Sequence, residues 1–239
     1  MTTSEQKNAE SEIHQYSCEM NNLMSIIINS MYSSKDYFLR ELISNCSDAC
    51  DKLNVLRTEL RDKNIDIDLI QKIRIMFDKN NNRLIIQDNG IGMTKEEMIN
   101  YLGCIANSGT KKFREAVQTL KNKEKVDDLI GQFGLGFYSS FLVADHVVVQ
   151  SKYPGGQMYQ WESSLGSFTI APAKDENDFL HGTTVILHLK DGCKEYLKKE
   201  KITELVKKYS MFISYPILLV NEKVKSDKKE ETKKVTEDS

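Results

Sequence analysis

The chain reads as an α+β domain in which helices cover one face of a mostly antiparallel sheet. Three features predict this class: helical periodicity early in the chain, a hairpin signature after it, and a run of short alternating segments in the second half. Residues 10–31 carry Met20, Leu23, Met24, Ile27 and Met31 at helical spacing, which predicts an amphipathic helix behind a flexible N-terminus over 1–12. A second helix is expected over about 35–60. Lys72 to Asp78 and Arg83 to Gln87 alternate around Asn80-Asn81-Asn82, the signature of two strands and a turn. Gly90 and Gly92 break the chain, and Thr94-Lys95-Glu96-Glu97 has the form of a capping box opening a short helix.

Residues 103–136 are rich in Gly, Ser, Lys and Asn, with one polar helix over about 110–122, and form a candidate lid. Strands are expected near 145–151, 157–162, 167–171 and 183–189, then a helix near 200–213 and a strand at 217–220. The folded domain is therefore placed at 13–220. Residues 221–239 hold six lysines and six acidic residues with almost nothing apolar, so they read as a charged disordered linker, and the chain as a piece of a longer protein.

At 239 residues and 40% hydrophobic content the chain is long enough to bury one core. A net charge of −2 gives no electrostatic attraction to nucleic acid or an anionic membrane, so neither is expected as a partner. Cys18, Cys46, Cys50, Cys104 and Cys193 are odd in number and lack C-x-x-C spacing. That pattern argues against a disulfide framework or zinc site and for a reducing compartment. Residues 1–12 are polar, with Lys7 as their one side-chain cation, and do not resemble a signal peptide. The cytoplasm is favoured, with an organelle lumen as the alternative if a targeting segment was trimmed.

Three segments carry candidate chemistry. On the second helix Glu41, Asn45, Asp48 and Lys52 are spaced 4, 3 and 4 apart, which places them within roughly 60° of one another. Leu39, Leu42, Ile43, Cys46, Ala49 and Leu53 occupy the adjoining face, so this polar stripe borders the core. Spacing alone fits either a solvated helix edge or a pocket wall. In a pocket, Glu41 would polarise a water and the Asn45 amide oxygen would suit a hard cation such as magnesium.

The second segment is Asp88-Asn89-Gly90-Ile91-Gly92-Met93. It reads as a simple turn, or as a base site. In a base site, a strand-end carboxylate would accept from an exocyclic amine, glycines would admit a flat ring, and Met93 would supply an apolar wall. The third is Gly131-Gln132-Phe133-Gly134-Leu135-Gly136-Phe137 before a helical Tyr138 to Leu142. Such a turn is either a flexible loop or a set of backbone N–H groups for phosphate. Its order is not the dinucleotide fingerprint, and no G-x-x-x-x-G-K-[ST] occurs anywhere.

Taken together, Phe38 to Ala49, Asp88 to Met93 and Ile130 to Tyr138 resemble, in residues and order, the N-terminal domain of the ninety-kilodalton heat-shock chaperones. That family shares a superfamily with gyrase B, MutL and histidine kinases. Ser108-Gly109-Thr110-Lys111, Phe141 to Asp145, Trp161 to Ser164 and Gly182-Thr183 add to the likeness, which runs from about residue 14 to 220.

The resemblance implies a two-layer α/β sandwich of the Bergerat type and a chaperone ATPase that binds ATP or ADP with Mg2+. By position, Glu41 would be the general base and Asn45 the magnesium ligand. Asp88 would hold the adenine amine, helped through water by Gly92 and Thr183, with Met93 and Leu102 as walls. Asp48 and Lys52 would line the mouth, Gly134, Gly136 and Phe137 would meet the phosphates, and residues 103–136 would close as a lid.

The family usually has asparagine where this chain has Tyr101 and lysine where it has Asn107. These departures remove an amide and a cation near the phosphates and bear on phosphate affinity and lid closure; Lys111 or Lys112 would compensate. Partners implied are client proteins, co-chaperones and the middle and C-terminal domains of the same protein. The isolated domain is expected to be a slowly hydrolysing monomer, and the full-length protein a homodimer. The competing readings are a nucleotide switch without hydrolysis and a histidine-kinase-type catalytic domain.

Overall fold

The structure is a computed structural model that describes residues 11–15, 34–103, 136–164, 167–175 and 179–221. Within them one sheet is built from β1 (Glu12–Gln15), β2 (Ile73–Asp78), β3 (Arg83–Asp88), β4 (Ala144–Lys152), β5 (Met158–Ser163), β6 (Ser167–Pro172), β7 (Gly182–Leu189) and β8 (Ile217–Asn221). The spatial order is β1-β6-β5-β4-β7-β3-β2-β8. All neighbours are antiparallel apart from β2 and β8, which run parallel. The helices are α1 (Tyr37–Asp62), α2 (Lys95–Met98) and α3 (Lys199–Tyr209), with 3-10 helices at Gly136–Leu142 and Asp191–Leu197.

Register explains where the core lies. Ile75, Ile86, Val185, Val149, Trp161 and Ile170 sit opposite one another across six strands and form a continuous apolar row. Phe38, Leu39, Leu42 and Ile43 of α1 join the same buried cluster, as do Ile202 and Leu205 of α3. Full burial of such a side chain is worth roughly 1.5–3 kcal/mol, so this layer supplies the main stabilisation. Two residues further along the strands the row turns polar: Asp88, Thr183 and Ser151 face one another across β3, β7 and β4. A cavity opens at this change of character.

α1 stops for a local reason. Asn64 takes φ 56° just past the helix, its N–H donates to the Arg61 carbonyl, and the Ile65 N–H donates to Leu60. This is a Schellman termination with asparagine in the left-handed position, and its usual apolar contact is present, with Ile65 packed on the cluster that includes Leu60.

Most expected elements are present, with corrections. The helix expected over 10–31 begins instead as a strand, since Glu12 to Gln15 pair with Ser167 to Ile170. His14 stacks on its cross-strand partner Phe168 at 4.8 Å and Glu12 meets Lys95 of α2 at 2.5 Å, so this edge is held by long-range contacts that helical spacing does not reveal. The helix expected to reach 213 ends at Tyr209. Met211 and Phe212 continue its apolar pattern but are exposed, and Pro216 starts the extended run into β8. The helix read from Tyr138 starts at Gly136 as a tight 3-10 turn. Residues 191–197 form a short helix too brief for periodicity to signal. Residues 16–31, the helix over 110–122, nearly all of the lid over 103–136 and of the 221–239 linker, and most of the 1–12 terminus lie outside the described residues.

Candidate functional site

α1, the end of β3, the loop after it and the 3-10 helix at Gly136–Leu142 border a cavity of about 720 Å³. The volume falls within the usual range for small-molecule sites. α1 crosses the cavity with its polar stripe along the open side: Glu41 is half-buried, while Asn45, Asp48 and Lys52 are exposed. The apolar neighbours of that stripe point into the core, so the helix serves as core wall and pocket wall at once.

The floor is centred on Asp88, whose side chain is buried. Gly90 N–H donates to its Oδ1 at 2.8 Å. Burial pushes this carboxyl up to about 7, against the opposing pull of the Gly90 N–H, the Cys46 thiol and the Thr183 N–H. Burial first, and the Asp88 charge second, raise Cys46 well above an ordinary thiol and push Cys50 up to about 12, so both stay protonated.

Around the carboxylate the backbone is tied down by side chains. The Ser151 hydroxyl accepts from Met93 N–H at 2.9 Å and donates to the Gly182 carbonyl at 3.1 Å, with the Thr183 hydroxyl 2.9 Å away. Asn89 takes the Lys72 N–H at 2.7 Å and donates to Asp68 and the Ile70 carbonyl, each at 2.9 Å. Gly92 has φ +67°, and a Cβ there would collide with the Lys152 carbonyl, so the turn beside Asp88 demands glycine.

After that turn, Thr94 and Glu97 form the reciprocal capping box read from the sequence: the Thr94 hydroxyl accepts from Glu97 N–H at 3.2 Å, and the Glu97 carboxylate accepts from Thr94 N–H at 2.8 Å. α2 continues into a π-helical turn, Ile99–Gly103, which carries Tyr101 and Leu102 to the cavity. Leu102 is buried and its carbonyl accepts from Tyr138 Oη at 2.9 Å, whereas Tyr101 stands at the mouth with 61% of its surface exposed.

At the other end, Glu41 Oε1 accepts from Arg40 Nη2 at 2.7 Å and Nε at 3.0 Å. The other carboxylate oxygen packs on Gly136, where any Cβ would strike it. Phe137 turns inward and meets Trp161 edge-to-face at 5.6 Å.

Glu41, Asn45, Asp48, Lys52, Asp88, Gly92, Met93, Leu102, Gly136, Phe137 and Thr183, singled out from the sequence, all line this one cavity. Gly134 and Asn107 lie outside the described residues. Sequence reasoning missed Arg40, Ser151 and His181. Arg40 carried a signal in its position beside Glu41; Ser151 and His181 belong to no motif, and only the fold brings them to the loop.

Comparison with known proteins agrees with this geometry. Residues 32–172 match the family described as histidine kinase-, DNA gyrase B-, and HSP90-like ATPase, and residues 195–239 match the Hsp90 protein family. Among curated relatives, "Heat shock protein 90" of Encephalitozoon cuniculi is 46% identical over 219 residues, covering 91% of this chain and 32% of that protein. An "Endoplasmin homolog" of Dictyostelium discoideum is 47% identical over 93% of this chain and 29% of the relative. "Heat shock protein 90-6, mitochondrial" of Arabidopsis thaliana is 46% identical over 89% and 27%. The chain thus spans about a third or less of the length of these relatives. A buried strand-end carboxylate, a glutamate and asparagine one turn apart on the facing helix, and a family match over most of the folded region lead to one assignment: the chain belongs to the histidine kinase-, DNA gyrase B- and HSP90-like ATPase family, as an N-terminal ATPase domain of its Hsp90 branch.

Proposed function

We propose that this domain binds ATP in the cavity and hydrolyses it slowly, as the nucleotide-dependent part of a chaperone acting on client proteins. The observation that carries the reading is the buried Asp88 carboxylate at the floor of a cavity bordered by Glu41 and Asn45. Asp88 would accept from the adenine amine, while Gly92 and Thr183 hold bridging water and Met93 and Leu102 flank the ring. A guanine would present a carbonyl to the same carboxylate and be rejected. Asp48 and Lys52 would line the mouth and Gly136 and Phe137 would meet the phosphates, a reading supported by all four bordering the cavity.

The donor set suits magnesium. Asn45 offers a neutral oxygen on the open side, and Mg2+ usually takes one or two protein oxygens beside phosphate oxygens and waters. When bound it would supply charge neutralisation at the phosphates. Glu41 is the group able to orient and deprotonate an attacking water one turn from Asn45. The resemblance implies an arginine drawn from a middle domain, and such a residue is worth about 10³–10⁵ in rate in other phosphoryl-transfer systems, so this domain by itself is expected to turn over slowly.

Because Arg40 engages Glu41 in a two-point contact, a nucleotide switch without hydrolysis is the second reading. A full-length Glu41→Ala protein that hydrolyses ATP as fast as wild type would favour it. Among the described residues Cys46, Cys50 and Cys193 are buried free thiols. Among the described residues no helix is long and apolar enough to cross a membrane.

The test is calorimetric titration of ADP and ATP into the purified chain, with and without Mg2+, beside Asp88→Asn. Magnesium-assisted binding lost in the variant is the expected result. A folded wild-type chain that binds neither nucleotide would falsify the proposal.

A further inference from the structure

His181 is fully buried just before β7, behind the loop that follows Asp88 and outside the residues that line the cavity. Its Nδ1 lies 2.7 Å from the Gly90 carbonyl oxygen, and its Nε2 accepts from the Asp68 N–H at 2.8 Å. The partners settle where the proton is. A carbonyl only accepts and an amide N–H only donates, so Nδ1 carries hydrogen and Nε2 is bare.

The Gly90 carbonyl belongs to the peptide joining Gly90 to Ile91, and the N–H of that peptide donates to the Ala49 carbonyl of α1 at 3.0 Å. One peptide is thus strung between the imidazole on one side and the pocket-wall helix on the other. The preceding amide, Gly90 N–H, is the one that donates to Asp88.

We propose that His181 is a positioning residue for base recognition: through its Nδ1–H bond to Gly90 it fixes the loop that aims the Asp88 carboxylate and sets the turn at Gly92. The inference rests on the nucleotide-binding reading above for its effect on affinity, but the positional claim stands on the free protein. Its two nitrogens do separable work. The Nδ1 side holds the Gly90 peptide; the Nε2 side secures Asp68, which Asn89 also holds through its carboxylate.

That separation supplies the test. In His181→Asn the side-chain NH2 falls near the place of Nδ1 and retains donation to Gly90. In His181→Gln the longer side chain places its polar end near Nε2, where it serves Asp68 and leaves Gly90 without its donor. Both variants lose imidazole packing, so both are expected to melt earlier by similar amounts. Base positioning is expected to separate them: ADP affinity falls about tenfold in His181→Gln and less than about threefold in His181→Asn, as for one buried hydrogen bond lost or kept.

In nucleotide-free protein, hydrogen exchange at the Ile91 amide is expected to speed about tenfold in His181→Gln alone. Equal exchange and equal ADP affinity in the two variants would overturn the proposal. An exchange difference between the variants, with no ADP binding even by the wild-type chain, would sink the nucleotide reading and leave His181 as the anchor of the loop.

Discussion

The two ends of the cavity are built on different principles. At the floor, Asp88 is buried and the backbone around it is tied by Ser151, Asn89 and His181 through bonds of 2.7 to 3.1 Å. At the mouth, Asn45, Asp48 and Lys52 are exposed, and Glu41 is held by a neighbouring arginine on its own helix. The floor is part of the sheet and is preorganised before any ligand arrives. The mouth is lined by solvent-exposed side chains of α1 and by Tyr101, with no comparable web of bonds among the described contacts. The difference teaches where affinity and chemistry should separate: recognition of a base by the rigid end, handling of phosphates by the adaptable one.

The sharpest way to break this comparison is Asp88→Asn. Nucleotide binding measured by calorimetry is expected to become undetectable, a loss of at least a hundredfold, because an amide both removes the charge and offers N–H groups to an amine. The fold is expected to survive at neutral pH, since a buried charge is removed.

Next in size is Glu41→Ala in the full-length protein, where steady-state hydrolysis is expected to drop about 10²–10⁴-fold, the usual worth of a general base, with ADP affinity nearly unchanged. Equal losses of binding and turnover would show that the two ends are not separable.

The pH dependence comes third. Asp88 holds its proton up to about 7 in the folded chain, whereas an unfolded aspartate releases it near 3.8. Between those values the folded state binds more protons, so this group's contribution to stability falls as pH rises from about 4 to about 7 and is flat above. On the proposed reading adenine binds the ionised form, so ADP affinity is expected to be about tenfold lower at pH 6 than at pH 8. Melting curves and calorimetry across this range check both signs. The smallest effect is expected for Tyr101→Asn: at 61% exposure, restoring the amide should change ADP affinity by less than about threefold.

Much of the floor was legible in the sequence because its chemistry is contiguous. Asp88 to Met93 packs carboxylate, turn and wall into six residues, and the glycine at φ +67° is where the motif has it. The α1 stripe was legible as a stripe, but spacing alone could not decide between solvent and pocket; the cavity on its open side decides it. What stayed hidden depends on register. Ser151 reaches Met93 because β4 pairs with β7 so that Ser151 faces Thr183, and no local pattern encodes that pairing. β1 was concealed for the same reason, its four residues being strand by virtue of the edge they complete.

The parallel pairing of β8 with β2 has a consequence for how the domain is made. Ile73 to Phe77 emerge early in synthesis, but their partners, Ile217 to Asn221, arrive only when nearly all the described chain has been translated. Until then the outer edge of β2 presents unpaired backbone beside apolar side chains, the kind of surface that recruits stray strands. β8, the last strand among the described residues, is what ends the exposure.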